Sequence, residues 1–230
     1  MIESFETVMK DPSKGWPTFD DFEHGRVFID DNLVKRVEDL LKKHRRCLIR
    51  GAEGRGKTVL ARVVANNRPV DEKERISFYD LRESRNEHIG QILNQFEAAV
   101  GEPNEKTLVI VENTHTSFDE ITPKLVEFAN EHREASFIFT SRKILPEDEQ
   151  LLIENPFEEW EEKNWCVDLE PGLVVAHSII KTFIAAEERG YSPTEQDVRL
   201  ITHDFEEGTI NLRRLNWYLE TWKEKGGRLS

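Results

Sequence analysis

The clearest chemistry in the sequence is carried by eight consecutive residues. Positions 51–58 read GAEGRGKT and fit the pattern G-x-x-x-x-G-K-[ST] at every fixed position. In such a loop the glycines let the backbone curl so that N–H groups point at phosphate oxygens, and the lysine brings positive charge to the terminal phosphates. An apolar run precedes the loop and a helical pattern follows it, so the positive end of a helix would face the anion. We therefore expect a site for ATP or ADP, built from Gly51, Glu53, Gly54, Arg55, Gly56, Lys57, Thr58 and Val59.

A second strand that ends in an acid is the partner that a phosphate loop needs to hold Mg²⁺. Residues 108–111 read LVIV and are followed by Glu112, so we expect Glu112 and the Thr58 hydroxyl to hold the metal. The next residue is Asn113, an amide that can position water but cannot accept its proton. Hydrolysis should then be slow, and faster in Asn113→Asp, unless another group serves as the base. The candidates for that base are Glu53, His115, Asp119 and Glu120.

Apolar runs and amphipathic stretches alternate along the middle of the chain. Five apolar runs predict strands, at 47–50, 76–79, 107–111, 136–140 and 165–169. Helices are predicted over 31–44, directly after the phosphate loop, over 85–100, around Pro123 and within 146–162. Nearly continuous apolar strands suit a parallel sheet that is covered on both faces. The sequence thus predicts a three-layer α/β core with a five-stranded parallel sheet.

The two ends of the chain differ from this core. Residues 1–25 combine acids, prolines and scattered aromatics, and we expect an irregular lead-in segment. After Pro171 the apolar positions recur at helical spacing, which predicts three helices over 172–189, 194–205 and 209–223. The predicted organisation is a lead-in at 1–25, a core at 26–169 and a C-terminal helical lid at 170–230.

The composition of the 230-residue chain bounds its partners and its compartment. The net charge of −13 argues against nucleic acid as a partner of this domain alone, because a polyanion would be repelled. The basic run at 42–46 is expected to be a solvated helix end, with a phosphate-contacting patch as the alternative. Cys47 and Cys166 are expected to be reduced core thiols. The sequence contains no apolar stretch of membrane-spanning length and no targeting signal, which predicts a soluble cytoplasmic protein without a membrane partner.

Two short motifs add a resemblance to known nucleotide-binding modules. The strand end FTSR at 139–142 is similar to the first-sensor strand of STAND ATPases, which implies that Arg142 reads the terminal phosphate. The segment GTINLRRL at 208–215 resembles the lid helix of AAA+ proteins, which carries a second sensor. That likeness implies Arg213 as the lid arginine, with Arg214 as the competing choice. The order of parts is that of a STAND or AAA+ type P-loop NTPase.

A third segment lies before the core. Phe28 and Ile29 resemble the apolar pair that packs against adenine in these families, although Asp30 and Asp31 replace the usual glycine and arginine. This likeness implies that both apolar side chains contribute to the nucleotide site. The catalytic set implied by the whole resemblance is Lys57, Glu112, Asn113, Arg142 and Arg213.

The leading expectation from this resemblance is a regulatory ATPase switch of STAND type. Bound ATP would clamp the core to the lid, and turnover or exchange would change assembly through self-association or a protein partner. No effector or repeat domain follows residue 227, so we expect one domain of a longer signalling or defence protein, with a stand-alone protein as the alternative.

Two other functions stay open. One is an AAA+ loader or origin-type ATPase that acts on nucleic acid, against which the acidic charge and the lack of an evident winged-helix reader both count. The other is a non-hydrolysing binding module in which Asn113 marks lost catalysis. The sequence does not predict the trigger, the oligomeric state or whether a neighbour donates an arginine. The arginines that could serve are Arg55, Arg82, Arg85 and Arg133.

Overall fold

A computed structural model describes residues 1–14, 17–83, 88–101, 106–118, 120–143, 154–171, 173–186, 196, 199 and 212–224. The strands are β1 (Glu3–Ser4), β2 (Arg46–Arg50), β3 (Ile76–Asp80), β4 (Leu108–Glu112), β5 (Ser136–Ser141) and β6 (Cys166–Asp168). The first five helices are α1 (Phe5–Lys10), α2 (Phe19–Glu23), α3 (Asp31–His44), α4 (Lys57–Asn66) and α5 (Val70–Lys73). The later helices are α6 (Ile89–Val100), α7 (Ile121–Glu131), α8 (Glu158–Glu162), α9 (Leu173–Ala186) and α10 (Leu212–Glu224). Within these ranges no helix combines the length and apolarity that crossing a bilayer would require.

The strands form one sheet in the order β1-β3-β4-β5-β2-β6. Strands β2 to β6 pair with one another in parallel, as predicted, and helices connect them. The α/β fold is therefore confirmed. The predicted count of five strands is one too low, because β1 pairs antiparallel with β3 at the edge of the sheet. A two-residue strand has too few residues to leave a periodic apolar signal.

Helices cover both faces of the sheet because successive strand residues point to opposite sides. On β2, Cys47 and Ile49 join one apolar cluster with α1, α3 and α4, whereas Leu48 joins the other. On β5, Phe137 and Phe139 belong to the second cluster, which includes side chains of α6, α7 and α8. These two cores give the predicted three-layer architecture.

The segment predicted to be an irregular lead-in is structured. Helix α1 begins after Ser4, whose hydroxyl accepts a hydrogen bond from the Thr7 N–H at 3.2 Å. Phe5 contacts the edge of Phe19 with ring centroids 5.3 Å apart, and it stacks on Phe78 of β3 at 6.2 Å. The aromatic residues of this segment give no local pattern, because the residues that they contact lie far away along the chain.

A buried arginine connects this N-terminal segment to the core. Arg62 of α4 donates hydrogen bonds to the carbonyl oxygen of Lys14 at 2.6 Å and to that of Pro17 at 3.1 Å. The interaction fixes the N-terminal segment beside the helix that follows the phosphate loop.

The described part of the lid consists of α9 and α10. These helices share a small apolar cluster formed by Ala176, Ile180, Phe183, Leu215 and Leu219. Two of the three predicted lid helices are thus present. Of the helix predicted over 194–205 the structure describes only residues 196 and 199, and the domain boundaries stay a prediction.

The residues of the basic run at 42–46 lie in different environments. Lys42 and Lys43 are exposed in the last turn of α3, which agrees with the prediction of a solvated helix end. His44 stacks on Trp165 with ring centroids 5.0 Å apart. Arg46 is buried at the start of β2, so the run does not form one continuous cationic surface.

Arg46 joins the start of β2 to the end of α7. Its guanidinium donates hydrogen bonds to the carbonyl oxygens of Arg45 at 2.8 Å, Ala135 at 2.8 Å, His132 at 3.1 Å and Ala129. Burial lowers the pKa of Arg46 to about 10, which leaves the side chain charged at neutral pH. The guanidinium therefore satisfies carbonyl groups that α7 leaves open at its C-terminus.

We predict that Arg46→Met lowers the free energy of unfolding by roughly 3 kcal/mol, because several buried carbonyls lose their donor. Urea denaturation measures the change. Lys43→Met, in the exposed part of the same basic run, is the matched control and should alter stability by less than about 0.5 kcal/mol. Equal stability of the two variants would contradict the structural role of Arg46.

Candidate functional site

The phosphate loop leaves β2 and enters α4 through two glycines with left-handed backbone. Gly54 has φ 72° and Gly56 has φ 88°, values that side chains with a Cβ rarely adopt. Gly51 meets a different constraint, because a Cβ there would lie 2.8 Å from the carbonyl oxygen of Leu169. The Gly51 N–H donates to the Ser141 carbonyl at 3.2 Å, which ties the loop to the end of β5. A constraint of backbone conformation or of packing therefore explains the glycine at each of these three positions.

Lys57 is folded back over the loop. Its Nζ donates hydrogen bonds to the carbonyl oxygens of Gly51 at 2.8 Å and Ala52 at 2.9 Å. Burial lowers the pKa of Lys57, while the charge of Glu53 opposes that shift. The ammonium group thus lies inside the curve of the loop, at the beginning of α4.

Glu112 is the buried acid predicted at the end of β4. Burial raises the pKa of its carboxyl, and the charge of Arg62 and a hydrogen bond with Thr58 oppose that shift. Its Oε1 atom is buried and has no hydrogen-bond partner among the residues that the structure describes. A carboxylate oxygen in this condition, beside a threonine hydroxyl, suits a hard cation that also binds phosphate oxygens. Thr58 and Glu112 therefore fit the predicted Mg²⁺ site.

Asn113 is hydrogen-bonded through its backbone and through its side chain. Its backbone is left-handed, with φ 59°, and its N–H donates to the Thr140 hydroxyl at 3.2 Å. Its Nδ2 atom donates to Asp80 at 2.9 Å. Asp80 ends β3 and is the register partner of Glu112 on β4.

The pairing of Asp80 with Arg82 is not predicted by the sequence. Arg82 donates to both carboxylate oxygens of Asp80, with the closest contact at 2.6 Å. The signal was present in the sequence, since residues 76–79 form an apolar strand that ends in an acid. Only the strand order shows that this acid lies beside Glu112.

His115 and Arg142 both line the same pocket as Lys57 and Glu112. Burial is the main reason that the pKa of His115 is lowered, and the charges of Lys57, Arg142 and Arg82 lower it further. The imidazole is therefore neutral at pH 7. Arg142 donates to the Lys143 carbonyl at 3.3 Å. The structure thus brings the predicted first-sensor arginine to the site.

The lid contacts the phosphate loop directly. The Leu212 N–H, at the start of α10, donates to the Gly54 carbonyl at 2.7 Å. The Arg213 guanidinium pairs with Glu53 at 3.1 Å, although both side chains are more than 70% exposed. Arg214 instead lies over the ring of Tyr218, 5.7 Å from its centroid. Of the two candidate lid arginines, Arg213 is the one beside the loop.

These groups line a pocket of about 900 Å³ between the core and the lid. Its apolar part includes Phe28 and Ile29, the pair expected to pack against adenine, and it continues along α4 and the two lid helices. The remaining apolar lining residues are Leu33, Val34, Val59, Leu60, Val63, Leu169, Pro171, Val175, Ile179, Phe183, Leu212 and Leu219. Polar groups at one end and apolar side chains along the rest match the two halves of a nucleotide.

The remaining residues that the sequence offers as the base or as the donated arginine lie in different parts of the molecule. Arg55 and Arg82 line the pocket, whereas Arg133 lies at a shallow depression on the outer side of α7. Glu120 is exposed at the start of α7 and is not among the lining residues. Asp119 and Arg85 lie outside the described part of the chain.

Several solved structures have a similar fold. DnaA of Aquifex aeolicus, with AMPPCP bound, is 17% identical with a TM-score of 0.57, over 85% of this chain and 61% of that one. Domain III of Thermotoga maritima DnaA is 15% identical with a TM-score of 0.60, over 91% and 92%. The Aeropyrum pernix ORC1 protein in complex with DNA is 10% identical with a TM-score of 0.58, over 97% and 65%. This chain therefore spans less than two thirds of the Aquifex and Aeropyrum chains, and at such low identity the likeness concerns the fold.

Sequence comparison gives the family. No curated protein matches the chain. The profile of the family described as Novel STAND NTPase 3 matches residues 28–181, which is more than half of the 230 residues. The matched range includes the phosphate loop, the end of β4 and the start of the lid. The chain belongs to the novel STAND NTPase 3 family and is therefore a P-loop NTPase of the STAND kind.

Proposed function

We propose that this domain binds ATP with Mg²⁺ between its core and its lid and acts as a nucleotide-dependent switch. The observation that carries the proposal is the direct contact of α10 with the phosphate loop through Leu212 and Gly54. Because residues of the loop and of the lid also line one pocket, a ligand in that pocket would contact both parts. That is the condition for a ligand to bias one arrangement of core and lid over another.

The residues of the loop would act together on the phosphates. Phosphate oxygens would compete with the Gly51 and Ala52 carbonyls for the Lys57 ammonium group, because an anion is a stronger acceptor than a neutral carbonyl. Thr58 and Glu112 would hold Mg²⁺, which supplies positive charge to the phosphate oxygens. Arg142, and beside it His115, would face the terminal phosphate from the end of β5 and the turn after β4.

The lid arginine would distinguish ATP from ADP. In the present arrangement Arg213 pairs with Glu53, and the exposure of both side chains makes this pair weak. A terminal phosphate carries more charge than one carboxylate and would draw Arg213 away from Glu53. Such exchange gives ATP a differential contact with the lid, through which we propose that it alters self-association or binding of a protein partner.

Hydrolysis of the bound ATP would be slow. Asn113 occupies the position after Glu112, and an amide cannot take the proton of the attacking water at neutral pH. Slow hydrolysis suits a switch, because the ATP-bound state then lasts long enough for a partner protein to bind it.

We predict that Lys57→Ala weakens MgATP binding at least about tenfold, because it removes the charge inside the loop. Isothermal titration calorimetry measures the dissociation constants. Lys124→Ala removes an exposed lysine of α7 that pairs with Glu127 and is the matched control. If Lys57→Ala binds MgATP as tightly as the control, the loop is not the nucleotide site.

A second prediction concerns the two adjacent lid arginines. Arg213→Ala should weaken ATP binding about fivefold or more and leave ADP binding unchanged, because only ATP has the third phosphate. Arg214→Ala should leave both affinities unchanged, since Arg214 lies over Tyr218. Competition binding with a fluorescent nucleotide measures both. Loss of ATP preference in Arg214→Ala instead would transfer the sensor role to that residue.

A second candidate function is ATP-dependent action on nucleic acid. The Aeropyrum neighbour is in complex with DNA, so the comparisons do not support the expectation that nucleic acid is an unlikely partner of this domain. Fluorescence anisotropy with labelled single-stranded and double-stranded DNA, with MgATP, at about 50 and about 200 mM salt tests this candidate. Binding that weakens steeply with salt would favour it, and no binding at the lower salt concentration would remove it.

A further inference from the structure

Three side chains form a hydrogen-bonded unit at the phosphate end of the pocket. Asp80 accepts the Arg82 backbone N–H at 2.9 Å and the guanidinium Nη2 at 2.6 Å. It also accepts the Asn113 Nδ2 at 2.9 Å. We refer to Asp80, Arg82 and Asn113 as the Asp80 unit. Arg82 and Asn113 line the nucleotide pocket, and Asp80 supports them from the neighbouring strand end.

The orientation of Asn113 is determined from two sides. Its backbone is held in the left-handed region, and its N–H donates to the Thr140 hydroxyl. Its amide nitrogen is used by Asp80. The side-chain oxygen Oδ1 is then the atom left to accept a hydrogen bond from a ligand or from water. The Asn113 amide is therefore held in one orientation, whereas an amide in solvent could rotate.

Asp80 retains its charge in this position. Burial by itself would raise the pKa of Asp80, but hydrogen bonds from Arg82 and Asn113 outweigh it and hold the pKa below its ordinary value. The side chain is only 18% exposed. A negative charge therefore lies directly behind the amide that follows Glu112, at the place along the sheet edge where a second acid is missing from the sequence.

We propose that the Asp80 unit positions the groups for hydrolysis: Asn113 Oδ1 orients the attacking water, Arg82 faces the transferred phosphoryl group, and Asp80 holds both. This inference rests on the proposed binding of ATP. Asn113 and Arg82 are the catalytic residues of the unit, and Asp80 is a positioning residue that acts through them.

The reaction needs little covalent chemistry from the protein. The water oxygen forms its bond to the γ-phosphorus while the bond from that phosphorus to the β–γ bridging oxygen breaks. The bridging oxygen leaves with the electron pair as part of ADP, and one water proton passes to a non-bridging phosphoryl oxygen to give inorganic phosphate. The Asp80 unit contributes orientation of the water through Asn113 and positive charge through Arg82.

The unit reverses the simplest expectation for Asn113→Asp. From the sequence alone this change supplies the missing acid and accelerates hydrolysis. In the structure it replaces a hydrogen bond of 2.9 Å by two carboxylates facing each other, next to Glu112. Like charges at that distance repel, so the single variant should be slower than the wild type. Exchanging the two residue types restores one carboxylate and one amide.

The test is a double-mutant cycle with Asp80→Asn, Asn113→Asp and the two combined, all close in size to the wild-type side chains. Single-turnover hydrolysis of MgATP and the dissociation constant for MgATP are measured for each, with Lys57→Ala as background. Each single variant should hydrolyse ATP about tenfold or more slowly, with nucleotide affinity changed less than about threefold. The combined variant should recover most of the rate lost in the single variants, because it restores one carboxylate and one amide at this contact, although Arg82 then faces an amide at position 80. Asp71→Asn, at an exposed acid that pairs with Lys106, should be unchanged.

The outcomes separate this inference from the proposed function. A combined variant as slow as the product of the single effects would overturn the Asp80 unit, as would an accelerated Asn113→Asp. Wild-type protein that binds MgATP but hydrolyses it no faster than Lys57→Ala would overturn the unit and leave nucleotide binding intact. Failure of the wild type to bind MgATP would reject the proposed function and the unit together.

Discussion

Parallel pairing of β3 with β4, of β4 with β5 and of β5 with β2 brings four strand ends to one edge of the sheet. The polar groups that the core contributes to the site lie at these strand ends or directly after them. The phosphate loop follows β2, Asp80 and Glu112 end β3 and β4, and Arg142 follows β5. A shift in the register of any one strand would move its terminal group away from the others. The apolar contacts in the two cores therefore determine the geometry of the polar end of the site, and residues of the first core, such as Leu60 and Val63, also line its apolar part.

The charges around the pocket are distributed so that one buried carboxyl oxygen lacks a hydrogen bond. Asp168 pairs with Arg50, Asp30 caps α3, and Glu53 pairs with Arg213. Glu112 is the exception among the described acids of the pocket, since its buried Oε1 has no hydrogen bond. A carboxylate kept in this state costs stability, and the cost is offset when a cation binds. The acidic net charge of the whole chain thus coexists with a site that suits a complex of Mg²⁺ and phosphate.

The parts of the fold that local patterns determine were predictable from sequence. The start of α3 after its N-cap Asp30, the phosphate loop and the five parallel strands each follow from residues close together in the chain. The missed features depend on contacts between distant segments. Strand β1 pairs with β3 far along the chain, beside the packing of Phe5 on Phe78, and Asp80 becomes part of the site only through its register with Glu112. Likewise, GTINLRRL suggested a lid arginine, but choosing between Arg213 and Arg214 required the contact of α10 with the loop.

The central claim is that one nucleotide interacts with the phosphate loop and the lid at once. Hydrogen exchange of the wild-type protein with and without MgATP tests it most directly, because exchange reports protection of each segment separately. The account predicts slower exchange both at residues 51–58 and at the start of α10, with no change along α7. Protection of the loop without any change in α10 would contradict the claim that the lid responds to the nucleotide.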